Sequence, residues 1–277
     1  MTEFRADLHC HSTCSDGSLS PKEIIHLAKE IGLSAISITD HDTVEAYVSA
    51  IPLSKELGLT LLPGIELSAA MNGISVHILG YGFQPDDPII RSFCERHVKR
   101  RQERNLAILN LLQKHGMSIS EEDLKTLPST ENVRSTIGRP HIALAMVKKG
   151  YVETIQDAFK KFIGEDKPCY TSGYSFTVEE TIDIIHQAKG LAVIAHPHLI
   201  NHPSILQALL TMNFDGIECY YGNFSSRDYE RWLKIAKKHN WLVTGGSDFH
   251  GAIKPGLSLG SSWIDEKAFQ AIQQHIK

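Results

Sequence analysis

Short apolar runs alternate with helical stretches at both ends of this chain, and most of the runs end in a histidine or a carboxylate. The runs cover residues 4–8, 35–38, 59–65, 74–79, 191–195, 216–220 and 242–245. This α/β alternation, with about seven strands, predicts a distorted (β/α)7 TIM-like barrel. The polar strand ends of such a barrel meet on one face, so we expect the functional site there.

The alternation stops at about residue 85 and resumes at about residue 168. The segment between is charged and has helical periodicity, which predicts an inserted helical subdomain. We therefore assign residues 1–84 and 168–277 to the barrel domain and residues 85–167 to the insertion. Ahead of the insertion, Asn72-Gly73 between two apolar runs predicts a tight β-hairpin.

The composition is that of an ordinary globular protein, with 42% hydrophobic and 22% charged residues. A net charge of -4 implies no uniformly basic surface, so a phosphate-bearing substrate must be attracted locally. The sequence lacks a run of 18 apolar residues, which predicts no membrane association. Five scattered cysteines predict reduced thiols and a cytoplasmic location. We infer no protein partner from the sequence.

Two histidines separated by one residue follow the first apolar run, in the segment Asp7-Leu8-His9-Cys10-His11. Alternate side chains of an extended segment lie on the same side, so His9 and His11 can bind one metal ion together. Two exposed histidines, or two held by core hydrogen bonds, would show the same spacing. The spacing alone therefore leaves both interpretations open.

Ionisable residues at the other strand ends favour the metal interpretation. The candidate ligands are His9, His11, Asp16, His41, Glu66, His77, His196, Asp248 and His250. So many imidazoles and carboxylates in one pocket need divalent cations to balance them. Their number predicts two or three ions that share a bridging carboxylate. A ligand set without thiolate favours Mn²⁺, Zn²⁺ or Fe²⁺ over Ca²⁺, and we expect Mn²⁺.

Three further aspartates, Asp7, Asp40 and Asp42, lie beside candidate ligands in the sequence. We expect them to orient imidazoles rather than to bind a metal directly, because ligand histidines usually donate their second N–H to a carboxylate. For Asp42, a role in a turn or a helix cap is the alternative.

Several segments together resemble the motif set of the PHP (polymerase and histidinol phosphatase) superfamily. These segments are residues 7–12 (DLHCHS), 15–17 (SDG), 39–42 (TDHD), 63–66 (PGIE), 195–197 (AHP) and 246–250 (GSDFH). They occur in the order that the family uses and span most of the chain. The length, the helical insertion and residues 138–143 (GRPHIA) are similar to the TrpH-like branch. That branch includes nucleoside 3′,5′-bisphosphate phosphatases, AMP-hydrolysing enzymes and the 5′-to-3′ exoribonuclease RNase AM.

The resemblance implies a PHP fold and three metal positions. One ion would be held by His9, His11, Glu66 and Asp248, and Glu66 would bridge to a second held by His77 and His196. The third would be held by Asp16, His41 and His250. No ligand position departs from the family pattern, which implies an active enzyme.

The expected activity is a metal-dependent phosphoesterase that hydrolyses nucleotide phosphates by attack of a metal-bound hydroxide. The substrate would be a nucleoside 3′,5′-bisphosphate, short 5′-phosphorylated RNA, or both. One alternative is a phosphatase of a small metabolite such as histidinol phosphate or AMP. A second alternative is a non-catalytic metal-binding docking module.

Cationic residues of the insertion are candidates for binding the substrate. Arg101 and Arg104 lie one helical turn apart, and arginine binds phosphate with a bidentate fork. The segment similar to the TrpH-like branch adds Arg139 and His141, and His198 follows the candidate ligand His196 by two residues. Ordinary roles remain open for each: a solvated helix face for the arginines on the first helix, a helix N-terminus for Arg139 and His141, and solvent exposure for His198.

Overall fold

The computed structural model describes residues 3–127, 137–173, 175–222 and 224–276. The first three strands form a parallel sheet in the order β1-β2-β3. They are β1 (Ala6–Cys10), β2 (Ala35–Ile38) and β3 (Thr60–Leu61). β1 and β2 are buried along their whole lengths, as expected of parallel strands covered on both faces.

The other strands form a mixed five-stranded sheet in the order β4-β5-β6-β7-β8. They are β4 (Gly64–Met71), β5 (Ile74–Tyr81), β6 (Leu191–Ile194), β7 (Gly216–Tyr221) and β8 (Leu242–Gly246). β4 and β5 are an antiparallel hairpin, β5 pairs antiparallel with β6, and β6, β7 and β8 are parallel. The predicted hairpin is confirmed: Asn72 and Gly73 both have positive φ, at 51° and 81°, as a type I′ turn requires.

A closed seven-stranded barrel is not confirmed in the described part of the chain, which has eight strands in two sheets. The predicted strand at residues 59–65 is two strands, β3 and β4. Pro63 lies between them, and proline has no N–H to donate to a strand ladder. Isolated parallel bridges connect the sheets, from Cys10 to Phe249 and from His41 to Glu66.

Two buried tyrosines also connect the sheets. The Tyr47 hydroxyl donates to the Ile38 carbonyl (2.8 Å) and accepts from the Gly64 N–H (2.6 Å). The Tyr81 hydroxyl donates to the Leu8 carbonyl (2.8 Å). These bonds join β2 to β4 and β5 to β1, so the strand ends of both sheets are held together.

Ten α-helices surround the strands in the described residues. They are α1 (Pro21–Glu30), α2 (Ala46–Leu57), α3 (Pro88–Lys114), α4 (Glu121–Lys125), α5 (Arg139–Lys148), α6 (Ile155–Ala158), α7 (Val178–Gln187), α8 (Pro203–Leu209), α9 (Ser226–His239) and α10 (Glu266–His275). A π-helical turn, Phe159–Ile163, follows α6. None of the described helices combines the length and the apolar character needed to cross a membrane.

The first helix shows how local sequence sets an element boundary. The Ser20 hydroxyl accepts the Glu23 N–H (3.3 Å), and the Glu23 carboxylate accepts the Ser20 N–H (2.7 Å). This capping box satisfies two N–H groups that the helix leaves unpaired. Pro21 occupies the first turn, where a missing N–H has no cost.

The helices between β5 and α7 have an apolar core of their own. Its buried members include Ile108 and Leu112 of α3, Ile142 and Met146 of α5, and Ile163. The other end of α3 packs on the strands, because Ile90 and Phe93 belong to the core cluster that contains β4 and β5. The long helix α3 therefore runs from the sheet into the helical segment, with its middle beside the strand ends.

Candidate metal centre

The nine predicted ligands lie together where the strands end. They form three overlapping groups whose donor atoms lie within 4.8 Å of one another: His9, His11, Glu66 and Asp248; His41, Glu66 and His77; and His11, Asp16, His41 and His250. His196 joins the second group, because its Nε2 is 2.8 Å from Glu66 Oε1. The first group is fully buried, and the third is buried except for His41.

Glu66 lies at the middle of the three groups. Its carboxylate is 1% exposed and has five imidazoles around it. Oε1 is 2.9 Å from His77 Nδ1 and 2.8 Å from His196 Nε2. Oε2 is 3.1 Å from His11 Nε2, 3.2 Å from His41 Nδ1 and 3.3 Å from His9 Nε2. Burial alone would raise the pKa of Glu66, but His41 and His77 hold that pKa well below its usual value. Glu66 is thus an anionic candidate ligand that belongs to two of the three groups.

Asp248 presents one carboxylate oxygen to the centre. Its Oδ1 lies 3.3 Å from His11 Nε2 and 3.4 Å from His9 Nε2. Its Oδ2 points away and accepts hydrogen bonds from the Tyr221 hydroxyl and the Lys254 ammonium, both at 2.7 Å. The two oxygens therefore have different partners, which leaves Oδ1 for a metal ion.

Asp16 closes the third group from a loop after β1. Its Oδ1 lies 3.3 Å from His250 Nε2 and 3.6 Å from His11 Nδ1, and its Oδ2 lies 3.8 Å from His41 Nε2. The His11 and His250 rings are stacked with centroids 4.0 Å apart. Two imidazolium ions could not share this space at low energy, so the rings suit neutral ligands of a cation.

The surroundings of His11 indicate whether the candidate ligands can bind a metal ion. The Nε2 atom of this fully buried imidazole lies 3.1 Å from Glu66 Oε2 and 3.3 Å from Asp248 Oδ1, yet within the described chain neither ring nitrogen has the geometry of a hydrogen bond. A buried imidazole without hydrogen bonds is costly, and a divalent cation between His11, Glu66 and Asp248 would remove that cost. Burial opposes protonation of His11, yet Asp248 and Glu66 raise its pKa to about 9. The pocket attracts positive charge, so the donor set fits divalent cations.

The backbone is strained where two of the ligands leave their strands. His196 has a φ of 26° and Asp248 a φ of 52°. Left-handed backbone in residues other than glycine costs energy and is concentrated at functional sites. The turns bring both side chains back over the strand ends.

The three predicted orienting aspartates bind backbone or loop groups instead of the ligand imidazoles. Asp7 accepts N–H groups of His9 (3.2 Å), Ser247 (2.9 Å) and Gly260 (2.8 Å), and burial raises its pKa to about 6. It therefore fixes β1 against the loop after β8.

Asp40 and Asp42 hold other parts of the surroundings. Asp40 accepts hydrogen bonds from Ser12 N–H (2.8 Å) and from the Ser15 hydroxyl, which shapes the loop that carries Asp16. Asp42 accepts Ser68 N–H (2.7 Å) and Arg101 Nε (2.6 Å). Asp42 also lies 3.2 Å from the ring of His97, which is not one of the candidate ligands.

Glu218, a residue that was not predicted from the sequence, orients the imidazole of the candidate ligand His9 and bonds the backbone of His196. Its Oε1 accepts from His9 Nδ1 (2.8 Å), which turns His9 Nε2 toward Glu66 and Asp248. Its Oε2 accepts the His196 N–H (2.7 Å). The sequence feature that identifies Glu218 is that it is a single carboxylate within the apolar strand β7. In the structure Glu218 is 1% exposed.

A cavity of about 680 Å³ opens beside the centre. Asp16, His41, His77 and His250 form part of its wall. Arg100, Arg101, Arg104 and Arg139 form another part, together with Tyr170 and Phe159. The structure therefore brings the three predicted arginines together and adds Arg100, which the sequence analysis left unassigned.

The two predicted substrate-binding histidines are not among the described residues that line this cavity. His141 Nδ1 accepts the Gly138 N–H (2.9 Å) and caps helix α5. His198 packs on Tyr221 and Phe224, with ring centroids 4.4 and 4.5 Å away. Burial and the neighbouring His196 lower the pKa of His198 to about 4. His198 is therefore neutral at pH 7 and does not offer a phosphate a positive charge.

The chain is similar to known proteins over nearly its whole length. The 5′-3′ exoribonuclease of Haemophilus influenzae is 32% identical over 261 residues, which cover 91% of this chain and 93% of that protein. The 3′,5′-nucleoside bisphosphate phosphatase of Chromobacterium violaceum is 30% identical over 260 residues, with 92% and 90% covered. A structure from Bifidobacterium adolescentis, described as a metal-dependent phosphoesterase, matches with a TM-score of 0.86 at 32% identity and covers 98% of this chain and 96% of that one.

The family model for the PHP domain matches residues 7–227, a range that contains seven of the nine candidate ligands. Asp248 and His250 follow that range and complete the groups. Relatives that are hydrolases match nearly the whole chain. The chain therefore belongs to the PHP domain family and is a metal-dependent phosphoesterase.

Proposed function

We propose that the protein hydrolyses an ester of a nucleotide 3′-phosphate while it binds the 5′-phosphate of the same nucleotide. The substrates would be nucleoside 3′,5′-bisphosphates and short 5′-phosphorylated RNA, from which the 5′-terminal nucleotide is released. One observation carries this proposal: four arginines and the candidate metal ligands line the same cavity. The activities of the Haemophilus and Chromobacterium relatives support it.

The arginines are in excess over their acidic neighbours. In the described part of the cavity region, Arg101 pairs closely with Asp42 (Nε to Oδ2, 2.6 Å), and Arg100 Nη2 lies 3.7 Å from the same carboxylate. Arg104 is 9% exposed. Burial, Arg101 and Arg139 lower the pKa of Arg104 well below its usual value. Clustered buried cations are costly without an anion, and phosphate satisfies the guanidinium fork.

The ligand groups around Glu66 would hold two or three divalent cations, and we propose Mn²⁺ first because the donors are imidazoles and carboxylates. Such cations supply Lewis-acid activation of water and neutralise charge on the phosphoryl group. The residues of this chain would hold the cations and position the substrate. Glu66 and Asp248 keep the centre anionic, Glu218 orients His9, and the arginines place the substrate.

The arginines and the candidate metal ligands would bind both substrate types in the same way. A nucleoside 3′,5′-bisphosphate and the first nucleotide of 5′-phosphorylated RNA both carry a 5′-phosphate and a 3′-phosphoryl ester. The arginines would bind the first group in both cases, and the metal ligands would face the second. All five cysteines are free, which supports a reducing compartment such as the cytoplasm.

Steady-state kinetics with added Mn²⁺ test the proposal. Adenosine 3′,5′-bisphosphate, adenosine 3′-monophosphate and histidinol phosphate would be compared in the wild-type protein and in Arg104→Gln. Loss of a charge-assisted hydrogen bond costs about 1.5 to 3 kcal/mol. We therefore expect Arg104→Gln to raise KM for the bisphosphate about ten- to a hundredfold and to leave the monophosphate KM unchanged.

Arg96→Gln is the matched control, because Arg96 lies on the same helix but is exposed and pairs with Glu180 (2.7 Å). Faster turnover of histidinol phosphate than of the bisphosphate would contradict the substrate assignment. Absence of turnover of every substrate, with metal bound, would support a docking module instead. Circular dichroism would confirm that Arg104→Gln is folded.

A further inference from the structure

We propose that a second cavity, the β7 groove, binds the base of the nucleotide that follows the scissile phosphate. This inference rests on the proposed function and extends it, because it makes a 5′-phosphorylated oligonucleotide the preferred substrate over a nucleoside bisphosphate. The β7 groove has a volume of about 330 Å³ and lies between the end of β7, the start of α9 and the segment before α10.

Aromatic rings line the β7 groove. Tyr220 and Tyr221 come from β7, Phe224 from the loop that follows it, Tyr229 from the first turn of α9, and Trp263 from the segment before α10. The Tyr220 and Tyr229 centroids are 5.0 Å apart. Proteins that bind single-stranded nucleic acid stack bases on such side chains.

The charge of the β7 groove excludes a phosphate subsite. Lysine and arginine are absent from its described lining residues, and Asp265 is the acidic one among them. The cavity beside the metal centre, in contrast, is lined by four arginines. A neutral aromatic ring with hydrogen-bond donors fits an acidic aromatic groove, and a nucleobase has both properties.

Asp248 connects the β7 groove to the metal centre. Its Oδ2 accepts one hydrogen bond from Lys254, which lines the arginine cavity, and one from Tyr221, which lines the β7 groove. The two cavities thus approach the same metal ligand from different sides. An oligonucleotide with its 5′-phosphate at the arginines and its scissile phosphate at the centre would continue toward Tyr221.

Three substrates distinguish this inference from the proposed function. They are adenosine 3′,5′-bisphosphate, the 5′-phosphorylated dinucleotide pApA, and the same dinucleotide with an abasic second nucleotide. Stacking of one base is worth about 1 to 3 kcal/mol. We expect wild-type KM to be about tenfold lower for pApA than for the abasic dinucleotide.

Tyr229→Leu tests the stacking ring, and Tyr229→Phe is the matched control because it keeps the ring. We expect Tyr229→Leu to raise KM for pApA about tenfold and to leave KM for the bisphosphate and the abasic dinucleotide unchanged. Phe224→Leu provides a second variant if Tyr229→Leu unfolds. Equal KM values for pApA and the abasic dinucleotide in the wild type would overturn the inference. An equal increase in KM for all three substrates, in both Tyr229→Leu and Phe224→Leu, would also overturn the inference.

Fluorescence gives a readout that does not require turnover. A dinucleotide with 2-aminopurine as its second base should be quenched when it binds the wild-type protein, and less so when it binds Tyr229→Leu. Failure of the wild-type protein to hydrolyse any of the three substrates would refute the proposed function. Quenching would still support the β7 groove in that case, and its absence would refute the groove as well.

Discussion

Replacement of Glu218 by glutamine should weaken metal binding although Glu218 is not one of the candidate ligands. Its carboxylate accepts from His9 Nδ1 (2.8 Å) and from the His196 N–H (2.7 Å). Glutamine has the same shape, so the packing around this buried side chain is preserved. One glutamine oxygen can still accept from His9, but the amide NH₂ then faces the His196 N–H, and two donors cannot bond.

The structure sets the size of the expected effect. One of two hydrogen bonds to a charged group is lost, and such a bond contributes about 1.5 to 3 kcal/mol. Each 1.4 kcal/mol corresponds to about a tenfold change in an equilibrium constant. We therefore expect Glu218→Gln to weaken Mn²⁺ binding about ten- to a hundredfold, which is the usual range for groups that orient metal ligands.

Equilibrium dialysis against graded Mn²⁺, with metal analysis of the protein, measures this directly. Activity at saturating Mn²⁺ should recover in part, because the ligands themselves remain. Glu179→Gln is the control: it makes the same chemical change at an exposed position on α7. If Glu218→Gln binds Mn²⁺ as tightly as the wild-type protein, the orienting role is wrong.

Three further outcomes follow from other contacts. Asp42→Asn should destabilise the protein by about 3 kcal/mol in urea unfolding, because it leaves Arg101 buried without its charged partner. His198→Phe should change kcat/KM by less than about threefold at pH 7, since His198 is already neutral there and acts as a packed ring. The pKa of His11 is about 9, so His11 is protonated at neutral pH before metal binds. Metal binding should therefore release a proton and tighten as the pH rises toward 9, as calorimetry in buffers of different ionisation enthalpy would show.

Local sequence rules predicted the elements better than their assembly. Asn72-Gly73 specified a hairpin, because a tight turn depends on a few neighbouring residues. Closure of the strands depends on contacts between distant segments, such as the Tyr81 hydroxyl with the Leu8 carbonyl. The apolar pattern of residues 59–65 also concealed the break at Pro63, so one strand was predicted where two exist.

The same distinction applies to the candidate site. The candidate ligands lie within or just after apolar runs, and strand ends meet at one edge, so His9, Glu66 and Asp248 could be grouped from the sequence. The hydrogen-bond partner of the His9 ring could not be predicted from the sequence. Glu218 lies 209 residues away inside an apolar strand. Nearby aspartates such as Asp7 were preferred for proximity in sequence, yet Asp7 binds backbone N–H groups.

Hydrogen bonds from their backbone N–H groups stabilise the two candidate ligands that have left-handed backbone, His196 and Asp248. Left-handed backbone costs about 1 to 3 kcal/mol at each such residue. Asp248 N–H donates to the His9 carbonyl (2.7 Å) and His196 N–H donates to Glu218 (2.7 Å), and these bonds offset that cost. Because both bonds join protein groups alone, the turns at the ends of β6 and β8 can form before metal binds. Little of the free energy of cation binding is then needed to bend the chain. That free energy remains available for binding the substrate phosphate.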